Sequence, residues 1–238
     1  MSVMVPLIRV TLRGLLGRRR TLLLTLLVGL PVLIALLIRL SGGRPDADRV
    51  LDALVVRTVM PLVALILGTA AMGSELEDGT AVYLMVKPIS RWRIALAKML
   101  VAAGLTAALV VPAVVLTGLL LGGAANATTI VAYSVACLVG GSAYAAAFMT
   151  LSIFTSRALL LGLAYTLLWE GVLAGLLEGT KFLSIRQATL GVTSALGAEL
   201  PGKPLGLSVS ALVLGIVLIG SFVLASWRLS RFEIRGGD

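Results

Sequence analysis

The side chains best suited to chemistry are concentrated in one polar stretch, residues 74–93, between two long hydrophobic runs. It reads Ser-Glu-Leu-Glu-Asp-Gly-Thr at 74–80 and Pro-Ile-Ser-Arg-Trp-Arg at 88–93. Glu75 and Glu77 can form charge-assisted hydrogen bonds with basic groups. In a chain that is 59% hydrophobic and only 13% charged, such a loop indicates a surface that contacts a partner in water. The chemistry that this stretch predicts is recognition of another protein.

Few residues suit catalysis or metal binding. The chain has no histidine, which removes the commonest general base and metal ligand. Its single cysteine, Cys137, lies in an apolar run and is expected to pack as a small residue. Ser142, in the string Gly-Gly-Ser-Ala at 140–143, faintly resembles an intramembrane hydrolase site, but a Ser–His dyad cannot form here. We therefore predict neither catalytic nor metal-ligating residues.

Glu170 is the one acid well inside a hydrophobic run. Counted along a helix from Arg157 at about 1.5 Å per residue, it lies roughly 20 Å into the membrane. A buried carboxylate is costly there, which makes Glu170 a candidate for the translocation path. The alternative, which we favour, is an ion pair with Arg57 or Lys181.

Hydrophobic runs long enough to cross about 30 Å of hydrocarbon must position these residues. The sequence predicts an all-α membrane protein with a single domain over residues 1–238 and six transmembrane helices. The spans are expected near residues 21–40, 53–73, 95–121, 129–154, 159–177 and 207–227. A longer segment, 178–206, precedes the last span. Its part 185–200 alternates apolar residues with Ser, Thr and Gly, which favours a short interfacial helix.

The net charge of +9 comes largely from basic residues that flank the hydrophobic runs, which indicates membrane lipids as partners and no nucleic acid. Residues 1–20 hold five arginines and no acid, with apolar residues on a separate stripe. This pattern predicts an amphipathic helix in the headgroup plane, or else a topology signal alone. Thirteen of the 20 Lys and Arg residues fall on the N-terminal side of the membrane, so we expect both termini in the cytoplasm.

The polar stretch then faces the cytoplasm as two short helices with a break. Asp78-Gly79 is a turn signal, and Thr80 can cap a short helix over 81–86. Pro88 ends that helix, and Ser90 can cap the next one, which continues as the third span. The alternative is an ordinary solvated loop that only sets topology.

The loop resembles that of permease subunits of ATP-binding-cassette exporters of the type-two family. Between their second and third spans these permeases carry an acidic residue, a Gly-Thr pair, a Pro-x-Ser-Arg string and a later Lys. Glu75, 79–80, 88–91 and Lys98 match this order, whereas Asp78 stands where a basic residue is frequent. The six spans, the basic N-terminal helix and the segment before the last span also resemble the family, so the resemblance covers nearly the whole chain.

A half-transporter is what the resemblance implies. Two permease chains, identical or related, would pair in a prokaryotic inner or plasma membrane, each binding a cytoplasmic ATPase. This chain has no Gly-x-x-x-x-Gly-Lys-Ser/Thr phosphate loop, so ATP and Mg are expected on the partner ATPase and no cofactor in this chain. The loop would be the coupling helix that lies in a groove of the ATPase. Its coupling residues would be Glu75, Glu77, Gly79, Thr80, Val82, Leu84, Met85, Pro88, Ser90 and Arg91.

Glycines at four-residue spacing mark two candidate helix contacts, since small residues let backbones approach closely. They are Gly171, Gly175 and Gly179 in the fifth span, and Gly118 and Gly122 in the third. Packing within the chain would explain either set. In the resembled family, spans one and five line the cavity between the permeases. The fifth-span stripe, with Glu170, is therefore the better candidate for the dimer seam or translocation path.

The cargo is expected to be hydrophobic or amphiphilic, because the spans carry few charges, although a small peptide is also compatible. Two other functions stay open from the sequence. One is a non-transporting membrane partner, such as an assembly factor or a sensor subunit. The other is the intramembrane hydrolase.

Overall fold

The computed structural model describes residues 17–43, 46–77, 90–122, 127–173, 182–200 and 204–231, with Ile8, Thr11, Leu12, Gly14 and Leu15 near the N-terminus. For residues 74–77 and 172–173 it describes the backbone alone. The regular elements within these ranges are α-helices and two π-helices of 9 residues each. In chain order they are α1 (Arg18–Leu40), α2 (Ala47–Val50), the first π-helix (Leu51–Val59), α3 (Met60–Glu77), α4 (Arg91–Gly122), α5 (Ala127–Phe154), α6 (Ala158–Ala164), the second π-helix (Tyr165–Leu173), α7 (Ile185–Ala195) and α8 (Leu207–Ser230).

Five helices are long and apolar enough to cross a membrane. They are Arg18–Leu40, Ala47–Gly73, Arg91–Gly122, Ala127–Phe154 and Leu207–Ser230, close to five of the six expected spans. The expected fifth span corresponds to Ala158–Gly171, an apolar helix shorter than 18 residues in the part that the structure describes. The all-helical membrane fold is therefore confirmed, and the sixth crossing stays a prediction.

The helix α5 is the centre of the bundle. It packs against α3, α4, α6, α7 and α8, and its most hydrophobic stretch is 61% buried. The corresponding stretches of α1 and α8 are each only 17% buried, so these two helices lie at the periphery. Much of the α5 surface is glycine and alanine, which allows its neighbours to approach closely.

The predicted N-terminal interfacial helix stays a prediction, because most of residues 1–16 fall outside the described ranges. Ile8, Thr11, Leu12, Gly14 and Leu15 are helical. Leu15 is buried within the hydrophobic core, and Leu12 packs against that core. The apolar side of this segment therefore contacts protein near its junction with α1.

A helix does occupy the segment before the last span, but its surroundings differ from the expectation. We expected an interfacial helix at 185–200, and α7 is instead buried against α5, α8 and the first π-helix. A Cβ atom at Gly140 of α5 would collide with Thr189 of α7, and one at Gly191 would collide with Ser210 of α8. The small polar residues of α7 thus serve close helix packing rather than contact with headgroups.

The two ends of the bundle differ in charge. The end where α4 begins and α8 finishes, here called the basic end, carries the described residues Arg18, Arg19, Arg20, Arg91, Arg93, Arg157, Arg228 and Arg231. The opposite end carries ion pairs within and beside the first π-helix, between Arg49 and Asp46 and between Arg57 and Asp52. Tyr133 of α5 donates a hydrogen bond to the Asp48 carbonyl there, at 3.0 Å.

Candidate functional site

The polar stretch 74–93 connects two helices that are tied together near the basic end. Helix α3 ends at Glu77 and α4 begins at Arg91. Lys98, fully buried two turns into α4, donates a hydrogen bond from Nζ to the Ala71 carbonyl of α3 at 2.7 Å. Burying an ammonium group is costly unless it is partnered, so this contact fixes the two helices to each other. The lysine is the one that completes the motif in the sequence.

The residues expected to couple to an ATPase are only partly described. Glu75 and Glu77 lie on the last turns of α3, as described by the backbone alone. Ser90 directly precedes α4, where a cap was predicted, and its carbonyl accepts a hydrogen bond from the Arg93 amide at 2.9 Å. Arg91 is the first residue of α4. The others, Gly79, Thr80, Val82, Leu84, Met85 and Pro88, lie outside the described residues.

Aromatic and basic side chains pair at the basic end. The Arg93 guanidinium lies 5.3 Å from the centre of the Trp92 ring, and the Arg231 guanidinium lies 4.2 Å from that of Trp227. Both tryptophans are about half exposed, at 47% and 46%. Tryptophan and arginine together are typical of the membrane–water boundary. These pairs indicate that this boundary crosses the first turn of α4 and the last turns of α8.

Glu170 forms a second polar cluster, at the opposite end. Its side chain is buried, and Oε1 accepts hydrogen bonds from the Tyr165 hydroxyl at 2.9 Å and the Ile185 amide at 2.9 Å. The Arg186 amide is 3.4 Å from the same oxygen, and the Ser184 hydroxyl donates to Oε2. The Glu170 carboxylate, on the second π-helix, thus accepts hydrogen bonds from the first amides of α7.

The partners of Glu170 correct the ion pair with Arg57, one of the two that the sequence favoured, while the pair with Lys181 stays a prediction. Arg57 pairs with Asp52 instead, with 3.7 Å between Nη2 and Oδ2, and Lys181 lies outside the described residues. Arg186 approaches Glu170 at the main chain, where Nη1 donates to the carbonyl at 3.1 Å. Burial lowers the pKa of the Arg186 guanidinium from its ordinary value, and the nearby Arg57 lowers it further, whereas Asp52 and Glu170 oppose this.

The glycines of the two candidate contacts have different surroundings. A Cβ atom at Gly118 would collide with Ile130 of α5, so this glycine serves packing within the chain. Gly171 is exposed, and among the described atoms a Cβ there would meet only the Thr166 carbonyl of its own helix, at 3.7 Å. Gly175 and Gly179 lie outside the described residues. The contrast leaves the helix of the expected fifth span as the better candidate for a contact between chains. This helix consists of α6 and the second π-helix and is called the fifth helix below.

Comparison with known families identifies the chain. The model of the ABC-2 family transporter protein matches residues 17–179, which is more than half of the sequence. This chain belongs to the ABC-2 transporter family. The resemblance read from the loop motif is thereby confirmed. No curated protein matches the ABC-2 chain.

The family match extends over the loop 74–93 and over part of the Glu170 cluster. In this ABC-2 chain it begins just before α1 and includes the loop 74–93, Lys98 and Glu170. ABC-2 permeases are membrane components of transporters and are not themselves the ATPase. Together with the five membrane-length helices, the match makes the ABC-2 chain an integral membrane component of a transporter.

The geometry around Ser142 does not favour the hydrolase interpretation of the ABC-2 chain. Its hydroxyl donates to the Leu138 carbonyl, one turn earlier in α5, at 2.6 Å. A nucleophilic serine requires a base within hydrogen-bond reach. The observed bond is instead the ordinary contact of a serine within its own helix.

Sequence reasoning missed the residues that surround Glu170. Tyr165 and Ser184 bind its carboxylate, and Ser184 also accepts the Gln187 amide at 3.0 Å. One signal for this site was present, because Ser-Ile-Arg-Gln at 184–187 has the spacing of a capping box. The capping box marks the beginning of α7 in the ABC-2 chain, but it does not reveal that the Glu170 carboxylate binds there.

Proposed function

We propose that this chain is the permease subunit of an ATP-driven exporter, which pairs with a second permease chain and two cytoplasmic ATPase subunits. The observation that carries the proposal is the family match over residues 17–179, which includes the loop 74–93 and the helices on both sides of it. The chain itself has no phosphate loop, so ATP and Mg bind the partner ATPase.

The loop transmits movement of the ATPase to the membrane helices. ATP binding closes the ATPase pair and displaces the coupling helix within 74–93. Because Lys98 joins α4 to Ala71 of α3 at the base of the loop, the two helices respond together. Both pack against α5, so the displacement reaches the centre of the bundle. The result is a shift between two arrangements of the helices, driven by the ATPase.

Docking on the ATPase depends on the loop residues. Val82, Leu84 and Met85 are the apolar anchors, and Glu75 and Glu77 pair with basic groups. Interfaces of this kind take most of their binding energy from a few central apolar or aromatic residues. A single charge placed among the anchors is therefore enough to prevent docking.

The basic end faces the cytoplasm in this proposal. Its arginines are suited to anionic lipid headgroups, and the excess of basic residues on cytoplasmic segments is the general rule for membrane proteins. The N- and C-termini lie on the same side. The aromatic–arginine pairs at Trp92 and Trp227 support a boundary at this level.

The second permease chain covers α1 and the fifth helix. Leucines of both helices are exposed in the single chain, including Leu26 at 73% and Leu168 at 62%. Lipid covers such a surface in an isolated chain, and a second copy covers part of it in the transporter. The cargo that moves between the two chains is hydrophobic or amphiphilic, because charged side chains are few within the spans.

The test is co-purification of the tagged chain with its ATPase, followed by ATP-dependent transport in vesicles that contain both. We expect Leu84→Asp to insert and fold normally but to lose ATPase binding, at a cost of about 2 kcal/mol or more. The matched control is Leu196→Asp, the same change at an exposed leucine of the opposite end. It should keep ATPase binding and transport.

A third variant separates docking from transmission. Lys98→Met removes the hydrogen bond to Ala71 without touching the loop, so we expect ATPase binding to survive and transport to fall. The exporter proposal would be rejected if Val82→Asp, Leu84→Asp and Met85→Asp all kept full ATPase binding and transport. ATPase binding without any ATP-dependent transport would favour the non-transporting membrane partner instead.

A further inference from the structure

The second π-helix, Tyr165–Leu173, is attached to the rest of the described bundle at few points. Among the described elements it packs closely on α6, of which it is the continuation. Its first residue, Tyr165, meets the Phe148 ring of α5 edge to face, with 6.3 Å between ring centres. Leu167 and Leu168 are exposed. Beyond this first turn, its polar contacts are with residues 183–186: the Trp169 indole lies 3.4 Å from the Leu183 carbonyl, and the Arg186 side chain donates to the Glu170 carbonyl at 3.1 Å.

The Glu170 carboxylate adds the larger set of contacts with this segment. It accepts hydrogen bonds from Ser184, Ile185 and Arg186, which are the cap and first two residues of α7. A helix leaves its first amides without partners inside the helix, and a carboxylate satisfies them well because the N-terminus carries partial positive charge. Ordinarily a local side chain does this. Here Ser184 serves one amide, and a residue of another helix serves two.

The helix α7 is packed tightly in the bundle. The hydrogen bonds between Glu170 and the N-terminus of α7, here called the tie, therefore connect the second π-helix to the rest of the bundle. Ala188, Thr189 and Thr193 of α7 are fully buried, and Thr189 lies against Gly140 of α5 with no room for an added methyl group. We propose that Glu170 is a positioning residue: its bonds to the N-terminus of α7 hold the second π-helix, the distal half of the fifth helix, against its own chain.

The tie has a consequence for the proposed exporter, and this step rests on the proposed function. If the fifth helix lies at the seam between two permease chains, its distal half must stay with its own chain when the seam opens. Glu170 then sets how far the seam can open before the helix separates from α7. Loss of the tie uncouples the fifth helix from the movement of the bundle, so ATP hydrolysis continues with less transport.

The tie is tested on the purified chain alone, without the ATPase. Spin labels on cysteines at Leu167 and Val135, in a Cys137→Ser background, report the distance between the second π-helix and α5. Both positions are exposed, at 57% and 43%. We expect one narrow distance in the parent and a broad distribution that extends to longer distances in Glu170→Ala, Glu170→Gln and Ser184→Ala. Glu199→Ala, which removes an exposed acid near the end of α7, should leave the parent distance unchanged.

Two further measurements separate positioning from a general loss of structure. Glu170→Ala combined with Ser184→Ala should broaden the distribution no more than Glu170→Ala alone, because both changes remove the same tie. In Glu170→Cys with Ser184→Cys, in the Cys137→Ser background, a short bis-methanethiosulfonate joins the two thiols through disulfide bonds with release of methanesulfinate. It should restore transport, and a reductant that cleaves these disulfides should abolish transport again.

The proposal would be overturned if Glu170→Gln and Glu170→Ala both folded and kept the single narrow spin-label distance of the parent, even if either variant lost transport. If the distances change as expected but no ATP-dependent transport is found for the parent, the tie stands and the exporter proposal fails. If Glu170→Ala does not fold, the Glu170→Gln and Ser184→Ala distances decide.

Discussion

Tyr165 and Glu170 are five residues apart on one helix, and the tyrosine hydroxyl is 2.9 Å from the Glu170 Oε1 atom. In an α-helix, with 3.6 residues per turn, two residues at this spacing point to different sides. A π-helix closes its hydrogen bonds from i to i+5 and so brings them to one side. The first π-helix shows the same spacing in the Arg57–Asp52 pair. Each π-helix therefore aligns a polar pair that an α-helix would separate.

Deletion of Leu168, an exposed residue, should convert the second π-helix to α-helical geometry without separating its polar pair. The deletion leaves three residues between Tyr165 and Glu170, and side chains at this i,i+4 spacing face the same side of an α-helix. We therefore expect a thermal unfolding temperature, measured in detergent, close to that of Leu168→Ala, which removes a similar side chain but keeps the length. A clearly lower temperature for the deletion would mean that the cluster needs the π-helix itself and not only the alignment of the pair.

Close packing between α5 and α7 should make Gly140 intolerant of a methyl group. Gly140→Ala places a Cβ against Thr189, so we expect a loss of about 1–3 kcal/mol in the free energy of unfolding. Thr189→Ala makes room and should recover part of this loss in the double variant, as unfolding in detergent would show.

The control for Gly140 is another glycine of a long helix. At Gly104 of α4, no described atom lies within 4 Å of an added Cβ. Gly104→Ala should therefore be neutral or slightly stabilising, since alanine is the better helix former. If Gly140→Ala behaved in the same way, the contact of α7 with α5 would be looser than the structure indicates.

The two candidate glycine contacts should respond differently to a leucine. Gly118→Leu meets Ile130 within the chain, so we expect a less stable monomer. Gly171→Leu has room in the single chain and should keep the monomer's unfolding temperature while weakening the pairing of two permeases. Cross-linking in detergent, alongside thermal unfolding of each variant, measures both effects. Unchanged pairing for Gly171→Leu would remove this part of the fifth helix from the seam.

Labelling of single cysteines decides which end faces the cytoplasm. In a Cys137→Ser background, we expect a cysteine at Asp48 to react with an impermeant thiol reagent added to intact cells. A cysteine at Asp78 should react only after the membrane is permeabilised. The reverse pattern would turn the loop 74–93 to the wrong side for an ATPase and would contradict the exporter proposal.

Much of the helical framework could be predicted from hydropathy alone, because long apolar runs have few alternatives in a membrane. The expected spans 95–121 and 129–154 correspond to Arg91–Gly122 and Ala127–Phe154. The loop motif also identified the family correctly. The coupling residues that the motif predicts for ATPase docking lie largely outside the described ranges, so their role stays a prediction.

The polar cluster could not be predicted, and the reason is a local change of helical period. Six of the nine residues in the segment 165–173 are hydrophobic and follow no period that would indicate a wider turn. The ion pair expected for Arg57 was wrong because the first π-helix brings Asp52 within reach. The burial of α7 was missed because its Ser, Thr and Gly residues are typical of both an interfacial segment and a closely packed helix.

The glycine and alanine surface of α5 bears on how the bundle deforms. Large side chains on facing helices interlock, so one helix must climb over the other to move. The buried residues Ala143, Ala145 and Ala146, with Gly140 and Gly141, present few such obstacles. We therefore expect α3 and α4 to slide lengthwise on this surface by small steps when the loop between them is displaced, whereas α7 stays with α5 because Thr189 lies against Gly140.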